Sequence, residues 1–599
     1  MVQAAPSLFV PLVLDASRWE NVQPLYQALM DRPIASAAEL EAWIIDRGEL
    51  DAAVNETHAN LYITMTCHTD DQHASAAYLR FVEQVIPLIK PVAFELDKRL
   101  VALSAQYPLD ENRYGVFLRD TRAEVELFRD ANVPIETELA RLGQKFETVS
   151  GAMSVVFEGR EQTLAQMGRY QEVTDRAVRE SAWRTVALRR LQDKDTLSDL
   201  YDQMVKLRHQ VGVNAGFADF VGYAYKSKHR FDYGVKECQE FHEACEKVVV
   251  PFARRQEAKR AAALGVDVLR PWDLAVDVKG RGPLRPFEGG QQLMSKAVAT
   301  FKRLDPRLGE MLASLGDGSE SRGSANGANL DLDSRKGKAP GGYQFMRDRS
   351  RKPFIFMNAA GLSRDVDTML HEAGHAFHSQ LCVDEPLLAY RTSPTEFAEV
   401  ASMSMELLTL PHLGLGPAGG GKDPRGPGAS PDMHDCFYAD EVDLQRHQRQ
   451  QIEGSVRLLP WIAMIDAFQH WVYANPAHTR EQRTAAWLDL DKRLGSSCSW
   501  LGLEQFRAIQ WQRQLHLFTH PFYYIEYGIA QLGALQLWLM GLERGERTAV
   551  DHYLKGLKLG GSKPLPELFA AAGLKFDFGR DTVARLVDRV ERELEKLPE

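Results

Sequence analysis

The sequence predicts a mainly α-helical protein with a small β-sheet. Most of its 599 residues lie in stretches where apolar residues recur three and four positions apart with charged residues between them, which is the pattern of amphipathic helices. Hydrophobic residues make up 44% of the chain and charged residues 26%. These are globular averages, so we expect sizeable cores and not a disordered chain.

The charge balance and the cysteines exclude several classes of protein. The chain has 72 Lys and Arg residues against 82 Asp and Glu residues, so its net charge is −10 at pH 7. Because that charge repels phosphate backbones, we expect no nucleic-acid partner. Six cysteines without any CxxC pair predict neither a disulfide framework nor a cysteine-based zinc site. We therefore expect reduced thiols that pack as small hydrophobes.

The amino-terminal stretch MVQAAPSLFVPLVLDAS is apolar but differs from a signal peptide. It carries no Lys or Arg before Arg18, and Asp15 ends its apolar run, so the positive region that opens a signal peptide is missing. No segment of the sequence approaches about 18 uninterrupted apolar residues, so no transmembrane helix is predicted. We expect a cytoplasmic protein with no membrane partner.

Five segments in the first half of the chain carry the helical pattern. They are residues 77–105, 111–149, 162–192, 194–213 and 234–264. The stretch from Met153 to Arg160 interrupts them with β-branched and aromatic residues that end at Gly159, which predicts a small hairpin.

Two short strands are predicted further along the chain. Tyr343–Met346 and Pro353–Asn358 read as strands joined by a basic turn. Residues 315–342 are nearly free of aliphatic side chains, and residues 414–431 are rich in Gly and Pro, so both segments are predicted to be loops. We expect Lys338, in the first loop, to lie in a solvated turn.

The sequence His371-Glu372-Ala-Gly-His375 is the sharpest signal in the chain. It follows Ser363, whose hydroxyl we expect to cap the start of a helix. On that helix, His371 and His375 lie one turn apart and can bind one ion, while Glu372 points about 100° away and can act on a water beside the ion. Imidazole nitrogens with one carboxylate suit zinc and leave a position open.

The third metal ligand is predicted on the next helix. Ser393 and Glu396 fit a capping box, with Pro394 at the first helical position. Glu399 lies one turn further into the helix, and we choose it as the ligand. Glu396 is the alternative, because its spacing from His375 also fits a carboxylate ligand.

His378 and Gly374 lie on the same predicted helix as His371 and His375. His378 shares a face with His371 but lies about 10 Å along the axis, so one tetrahedral ion cannot reach both of them together with His375. We expect His378 to support the ligands or to face a groove. Gly374 costs about 1 kcal/mol inside a helix, which predicts a close neighbour at that surface.

At this point the sequence resembles the zinc metallopeptidases of the thimet oligopeptidase and oligoendopeptidase F family. The similar segments are HEAGHAFH, EFAEVASMSMELL, GKAPGGYQF, PFIFMNAAGLSRDVDTML, FADFVGYAYKSKHRFDY, LGVDVLRPWDL and IDAFQHWVYANPAHTREQR. Together they extend over roughly residues 150–560. Within the last of these segments, His470 is interpreted as a helix-packing residue.

The resemblance implies a two-part helical ellipsoid with a deep central channel, a small β-sheet beside the zinc helix and one Zn²⁺ per chain. Its substrates would be short unstructured peptides, which would add to the sheet at Pro353–Asn358. We expect residues 1–195 to form part of the channel wall and residues 196–599 to form the catalytic region. The segment 414–431 resembles an insertion into that region.

A second constellation follows near the carboxyl end, in the sequence HLFTHPFYYIEYG. Pro521 is predicted to begin a helix with His520 just outside it, which places three tyrosines on one face: Tyr523, Tyr524 and Tyr527. Such a helix alone is more often core. The resemblance instead implies His and Tyr donors that stabilise the oxyanion of the reaction. Tyr527 and Tyr524 match those positions best, His520 matches less well, and His516 is an alternative to it.

These patterns predict a zinc endopeptidase of oligopeptides, with Glu372 as its catalytic base, and leave two other functions open. A zinc aminopeptidase would need an acidic residue to bind the substrate amine, but the strand Phe-Ile-Phe-Met-Asn has none. An inactive peptide-binding homologue could tolerate loss of a metal ligand or of Glu372, yet all are present. The sequence predicts neither the cleavage-site preference nor the oligomeric state.

Overall fold

The computed structural model describes residues 9–319, 328–339, 341–414 and 435–598. These described residues form two compact units, each assembled from three chain segments. Unit 1 draws on Met1–Val125, Leu284–Gln448 and Gly533–Phe576, and unit 2 draws on Glu126–Pro283, Arg449–Leu532 and Asp577–Glu599. The predicted segment 414–431 lies outside the described residues except for Gly414.

The fold is mainly α-helical, as the sequence predicts. Up to residue 264 the helices are α1 (Trp19–Asp31), α2 (Ala37–Cys67), α3 (Gln72–Arg80), α4 (Ile86–Gln106), α5 (Glu111–Leu127), α6 (Val133–Gly151), α7 (Arg176–Gln192), α8 (Lys194–Asn214), α9 (Phe220–Ser227), α10 (Val235–Ala244) and α11 (Val250–Leu264). Single π-helical turns join α3 to α4 and α10 to α11.

The remaining helices contain the residues of the predicted site. They are α12 (Gly289–Leu304), α13 (Pro306–Ala313), α14 (Ser363–Leu381), α15 (Thr395–Leu408), α16 (Glu441–Ala474), α17 (Arg480–Leu494), α18 (Glu504–Ala508), α19 (Leu515–Thr519), α20 (Tyr524–Arg544), α21 (Glu546–Leu557), α22 (Leu565–Ala571) and α23 (Arg580–Glu595). Among the described residues, no helix combines the length and the apolar character needed to cross a membrane.

Two small sheets complete the fold. In unit 2, β1 (Ser154–Phe157) and β2 (Arg160–Thr163) form the predicted antiparallel hairpin. In unit 1, β3 (Leu330–Asp333), β4 (Tyr343–Arg347) and β5 (Lys352–Ala359) form a sheet in the order β3-β5-β4. The two predicted strands are therefore confirmed, but β5 is paired on both sides. The expectation that a peptide adds at Pro353–Asn358 is wrong, because that strand has no free edge in this sheet.

The helix predicted over 162–192 is wrong in nearly the first half of its length. Its first residues belong to β2 and to a 3₁₀ turn, and α7 begins only at Arg176. The side chains of Thr163 and Gln166 bond to each other's backbone N–H groups at 2.9 and 3.2 Å, which holds a tight turn in place of a helix. Asp175 then caps α7 by accepting from the N–H of Ala177 at 2.8 Å.

A buried apolar layer holds the amino-terminal helices of unit 1 together. The indole of Trp43 is fully buried and donates to the carbonyl of Leu29 at 2.9 Å. On the other side of α2, Ile63 and Cys67 pack against Phe354 and Phe356 of β5. Helix α2 therefore covers the sheet that lies beside α14. The boundary expected at residue 195 falls within α8, and the role of residues 1–195 as a channel wall stays a prediction.

The loop before β4 is anchored by a buried ion pair. The ammonium of Lys338 lies 2.8 Å from the carboxylate of Asp331 in β3, and both side chains are fully buried. Arg335 donates to the same carboxylate at 2.6 Å. The prediction that Lys338 lies in a solvated turn is therefore wrong, because Lys338 pairs with Asp331 of β3 inside the protein.

Candidate metal centre and active site

Helix α14 carries the HEAGH motif, and its first turn differs from the prediction. The residue before the helix is Leu362, whose N–H donates to the carboxylate of Asp365 at 2.9 Å. The hydroxyl of Ser363 lies 2.8 Å from Nδ1 of His447 and 2.9 Å from the hydroxyl of Tyr438. Asp365 therefore caps the helix, and the capping role predicted for Ser363 is wrong because its hydroxyl bonds to α16 and the loop before it.

Helix α15 also begins later than the sequence suggests. Pro394 adopts an extended conformation just before the helix, and the first helical residue is Thr395. The hydroxyl of Ser393 contacts the carbonyl of Pro394 at 3.3 Å, so the predicted capping box with Glu396 is not formed. Glu396 is buried in the first turn of the helix.

Gly374 lets the two helices approach closely. A Cβ atom at this position would lie 2.4 Å from the carbonyl oxygen of Ala401 and 2.6 Å from the Cα of Ser402. Both atoms belong to the backbone of α15, which cannot move aside as a flexible side chain could. The predicted close neighbour of Gly374 is confirmed, and it is the helix that carries Glu399.

This approach brings together three potential metal ligands, which we call the His371 cluster: His371, His375 and Glu399. The Oε2 atom of Glu399 lies 3.4 Å from Nε2 of His371 and 3.6 Å from Nε2 of His375. Bonds of about 2.0–2.3 Å to a tetrahedral zinc ion place ligand atoms about 3.3–3.8 Å apart. The observed spacings match, so the donor set fits a zinc ion.

Two further residues of α15 orient these ligands, and the sequence analysis missed both. Nδ1 of His371 lies 2.7 Å from the carboxylate of Glu406, which can only accept, so Nδ1 carries a proton and Nε2 is the nitrogen that would bind a metal. Ser402 donates to Oε2 of Glu399 at 2.8 Å. Glu406 lies two turns after Glu399 on the same helix face, and that spacing was the signal available in the sequence.

Glu372 is buried beside the His371 cluster. Its Oε2 atom has no hydrogen-bond partner among the described residues, and the backbone of Gln344 in β4 bonds to its carboxylate. Burial raises the pKa of Glu372 to about 7. A carboxylate with an unpartnered oxygen and a raised pKa is suited to accept and return a proton.

Burial and neighbouring charges also shift the other groups of this site. Burial lowers the pKa of His375 to about 4, so its imidazole is neutral, which is the form that binds a metal. Burial alone would raise the pKa of Glu399, but the combined effects of His371, His375 and Ser402 lower it to about 2. His378 is buried, with its pKa lowered to about 4 by burial, so the expectation that it faces a groove is wrong.

The second predicted constellation forms an aromatic group in unit 2. The ring of His516 lies 5.5 Å from Tyr523, 5.0 Å from Tyr524 and 6.0 Å from Tyr527. His520 is exposed and contacts Tyr523 at 6.2 Å. The structure therefore gathers the three phenols around His516.

Two hydrogen bonds determine where the proton of His516 lies. The indole N–H of Trp461 donates to the amide oxygen of Gln514 at 3.0 Å, so the amide nitrogen of Gln514 faces Nδ1 of His516 at 2.7 Å. Since that nitrogen can only donate, Nδ1 accepts and the proton lies on Nε2. Burial lowers the pKa of His516 to about 4, so the ring is a neutral donor through Nε2 near pH 7.

The helix predicted from Pro521 starts three residues later, at Tyr524. Phe522 has a φ of 61°, a left-handed conformation that is uncommon for a residue with a side chain. Its N–H donates to Gln469 at 2.6 Å, and its carbonyl accepts from Arg230. These two partners hold the turn, so Tyr523 lies outside α20 and the predicted start is wrong.

Comparison with known proteins decides the family. Residues 169–587 match the model of peptidase family M3, a range that includes both the His371 cluster and the aromatic group. The chain belongs to peptidase family M3. The resemblance seen in the sequence is thereby confirmed.

Solved structures of similar proteins agree with this family. PZ peptidase A, solved with an inhibitor, has a TM-score of 0.82 and 26% identity, with 98% of this chain and 99% of that chain covered. A proposed oligoendopeptidase F has a TM-score of 0.83 and 25% identity over the same shares. The mainly helical fold of this M3 chain is therefore shared along nearly its whole length.

Two M3 relatives are also similar in sequence. Oligopeptidase PepF of Bacillus subtilis is 25% identical over 331 residues, which cover 54% of this chain and 44% of that protein. An oligoendopeptidase F homologue of Borreliella burgdorferi is 26% identical over 228 residues, covering 36% and 34%. The matched part thus spans less than half the length of either relative.

Proposed function

We propose that this M3 chain is a zinc-dependent endopeptidase that hydrolyses short unstructured peptides. The observation that carries the proposal is the His371 cluster, in which three ligand atoms at tetrahedral spacing lie beside the buried carboxylate of Glu372. Since these ligands leave a coordination position open, the arrangement suits a catalytic metal more than a structural one.

The protein's own residues divide the work of the proposed reaction. His371, His375 and Glu399 would hold the ion, with Glu406 fixing the tautomer of His371. When bound, zinc would supply Lewis acidity that polarises the scissile carbonyl and lowers the pKa of water. Glu372 would take the proton from the attacking water and return it to the leaving amine as the peptide bond breaks.

The donors to the oxyanion are assigned from the family resemblance. We propose Tyr527 as the main donor, with help from Tyr524 and either His520 or His516. His516 is the better supported of the two histidines, because its proton lies on Nε2 and its ring contacts all three tyrosines. A phenol and a neutral imidazole N–H can each donate a hydrogen bond to developing negative charge.

The position of β4 gives a way to bind a peptide backbone. β4 lies at the edge of its sheet, and the backbone of its Gln344 bonds to Glu372. An extended peptide that pairs with β4 would therefore run close to the proposed base, whereas a folded protein has no free strand to offer. We expect cleavage of peptides of about 6–20 residues and none of folded proteins.

The proposal is tested with a mixed-length library of quenched fluorescent peptides, each tested with a free and with an acetylated amino terminus. Cleavage of both forms, lost with a chelator and restored by zinc, is the expected result. Cleavage only of peptides with a free amine would indicate an aminopeptidase. Absence of cleavage by zinc-loaded protein would indicate a peptide-binding homologue. The cytoplasmic location stays a prediction from the sequence.

A further inference from the structure

A second group of potential metal-binding side chains lies in unit 2. We call it the Cys238 cluster: Cys238, Asp466 and His470, with His242 and Tyr225 around them. Cys238 and His242 are four residues apart on α10, and Asp466 and His470 are four residues apart on α16. Each pair therefore projects from one face of its helix.

The distances in the Cys238 cluster are those of a metal site. One ligand atom from each of Cys238, Asp466 and His470 lies within 4.8 Å of the other two. The Asp466 carboxylate lies beside the imidazole, with its Oδ2 atom 3.3 Å from Nε2 of His470. A thiolate, an imidazole and a carboxylate are common zinc ligands.

The buried carboxylate of Asp466 is only partly hydrogen-bonded by the described residues. Its side chain is fully buried, and its Oδ1 atom has no hydrogen-bond partner among the described residues. Oδ2 is 2.9 Å from Nε2 of His242. A buried carboxylate oxygen without a partner is costly, and a cation coordinated through Oδ1 would remove that cost.

Arg230 and Tyr225 lie beside this cluster. The guanidinium of Arg230 lies over the ring of Tyr225 at 5.0 Å and donates to the carboxylate of Glu526 at 2.6 Å. The hydroxyl of Tyr225 lies 2.9 Å from the sulfur of Cys238 and 3.2 Å from Nε2 of His470. Arg230 therefore pairs with Glu526, and the Tyr225 hydroxyl is placed to donate to a metal-bound thiolate.

We propose that Cys238, Asp466 and His470 form a buried three-ligand site for a transition-metal ion of the zinc class. His242 orients the Asp466 carboxylate, and Tyr225 donates to the Cys238 sulfur, as outer partners of metal ligands do. Because the ligands are buried, the site has a structural role and ties α10 to α16. This proposal departs from the sequence predictions, which expected one Zn²⁺ per chain, no metal at the cysteines and a packing role for His470.

The bound ion would also support the turn before α20. The ring of His470 packs on Phe522 at 5.2 Å, and the neighbouring Gln469 accepts from the Phe522 N–H at 2.6 Å. Phe522 holds the left-handed conformation from which Tyr523 and α20 follow. Loss of the ion should therefore loosen the aromatic group around His516 as well as the contact between α10 and α16.

Cobalt substitution tests the site independently of peptidase activity. The full-length protein is stripped with a chelator, refilled with Co²⁺ and examined for a sulfur-to-cobalt charge-transfer band in the near ultraviolet. The His371 cluster contains no thiolate, so only a cysteine ligand produces this band. We expect the band in the wild type and in the His371→Ala/His375→Ala double variant, and its loss when Zn²⁺ is added.

The matched variants are Cys238→Ala and Cys245→Ala, which each remove one fully buried thiol from unit 2. The band should disappear in the first variant and persist in the second. The double His variant should still carry about one zinc per chain, and zinc should raise its melting temperature. No band in the wild type, or no zinc in the double His variant, would overturn the proposal whether or not Cys238→Ala folds. In that case Cys238, Asp466 and His470 would be a hydrogen-bonded network only.

Discussion

The His371 cluster and the Cys238 cluster follow the same plan but differ in exposure. Each combines two residues one turn apart on one helix with a third residue from another helix. The side chains of His371 and His375 are 24% and 20% exposed, whereas Asp466 is fully buried and His470 is 12% exposed. Three ligands leave one position of a tetrahedral ion open in both clusters, but a substrate can reach that position only where the ligands are exposed. Burial therefore separates the proposed catalytic centre from the proposed structural one.

Removing Glu372, the proposed base beside the His371 cluster, should give the largest effect on kcat. Glu372→Gln deletes the group that accepts the proton and spares the three ligands. We expect kcat to fall by at least about 10²–10⁴-fold, while zinc content by atomic emission and the cobalt band of the Cys238 cluster stay unchanged. A loss of less than about tenfold would mean that Glu372 is not the catalytic base. It would also remove the reason for assigning catalysis to the His371 cluster instead of the Cys238 cluster.

Tyr527→Phe tests whether the aromatic group takes part in the reaction. The change keeps the ring and removes one donor, whose partner charge exists only in the transition state. We expect kcat to fall by about 10²–10³-fold with little change in KM. Zinc content and melting temperature, measured on the same sample, should match the wild type. A kcat within about threefold of wild type would assign Tyr527 to packing instead.

Glu406→Gln changes the residue that hydrogen-bonds to the proposed ligand His371 and leaves the ligand itself unchanged. It removes the charge that holds Nδ1–H of His371, so zinc affinity should weaken by about 10–100-fold. Competition with a chromophoric chelator measures this affinity. Glu396→Gln, on the first turn of the same helix, is the matched control and should bind zinc normally. Normal zinc binding by Glu406→Gln together with weakened binding by Glu396→Gln would indicate that Glu396, and not Glu399, is the metal ligand.

Gly374→Ala should give the smallest effect, on stability. The new Cβ would meet the backbone of α15 at 2.4 Å, so we expect a loss of about 1–3 kcal/mol in the free energy of unfolding. Gly454→Ala lies inside α16, where a Cβ meets no atom within 4 Å, and should gain about 0.5–1 kcal/mol. Denaturant unfolding compares the two. Equal changes in the free energy of unfolding would show that the close contact between α14 and α15 at Gly374 does not contribute to stability.

The sequence predicted those parts of the site that local patterns determine. The helical class, β4 and β5, and the pairing of His371 with His375 on one helix face all follow from spacing along single elements. The family resemblance was found in short motifs of contiguous residues, spread over roughly residues 150–560. For these features, neighbouring residues carry the signal.

Features that depend on distant partners could not be predicted. Phe522 takes its left-handed conformation because Gln469 and Arg230 hold its backbone, so the start of α20 is not visible in its own sequence. Lys338 is buried because Asp331 pairs with it. The Cys238 cluster draws its ligands from two helices that are far apart in the chain, so no short motif marks it.

The most direct measurement is an anomalous difference map recorded at the zinc absorption edge from crystals of the purified, active protein. The account predicts a peak about 2.0–2.2 Å from Nε2 of His371, Nε2 of His375 and a carboxylate oxygen of Glu399. A second peak is expected between Cys238, Asp466 and His470. An active protein with no peak at the His371 cluster, or with Glu396 as the ligand in place of Glu399, would contradict the account.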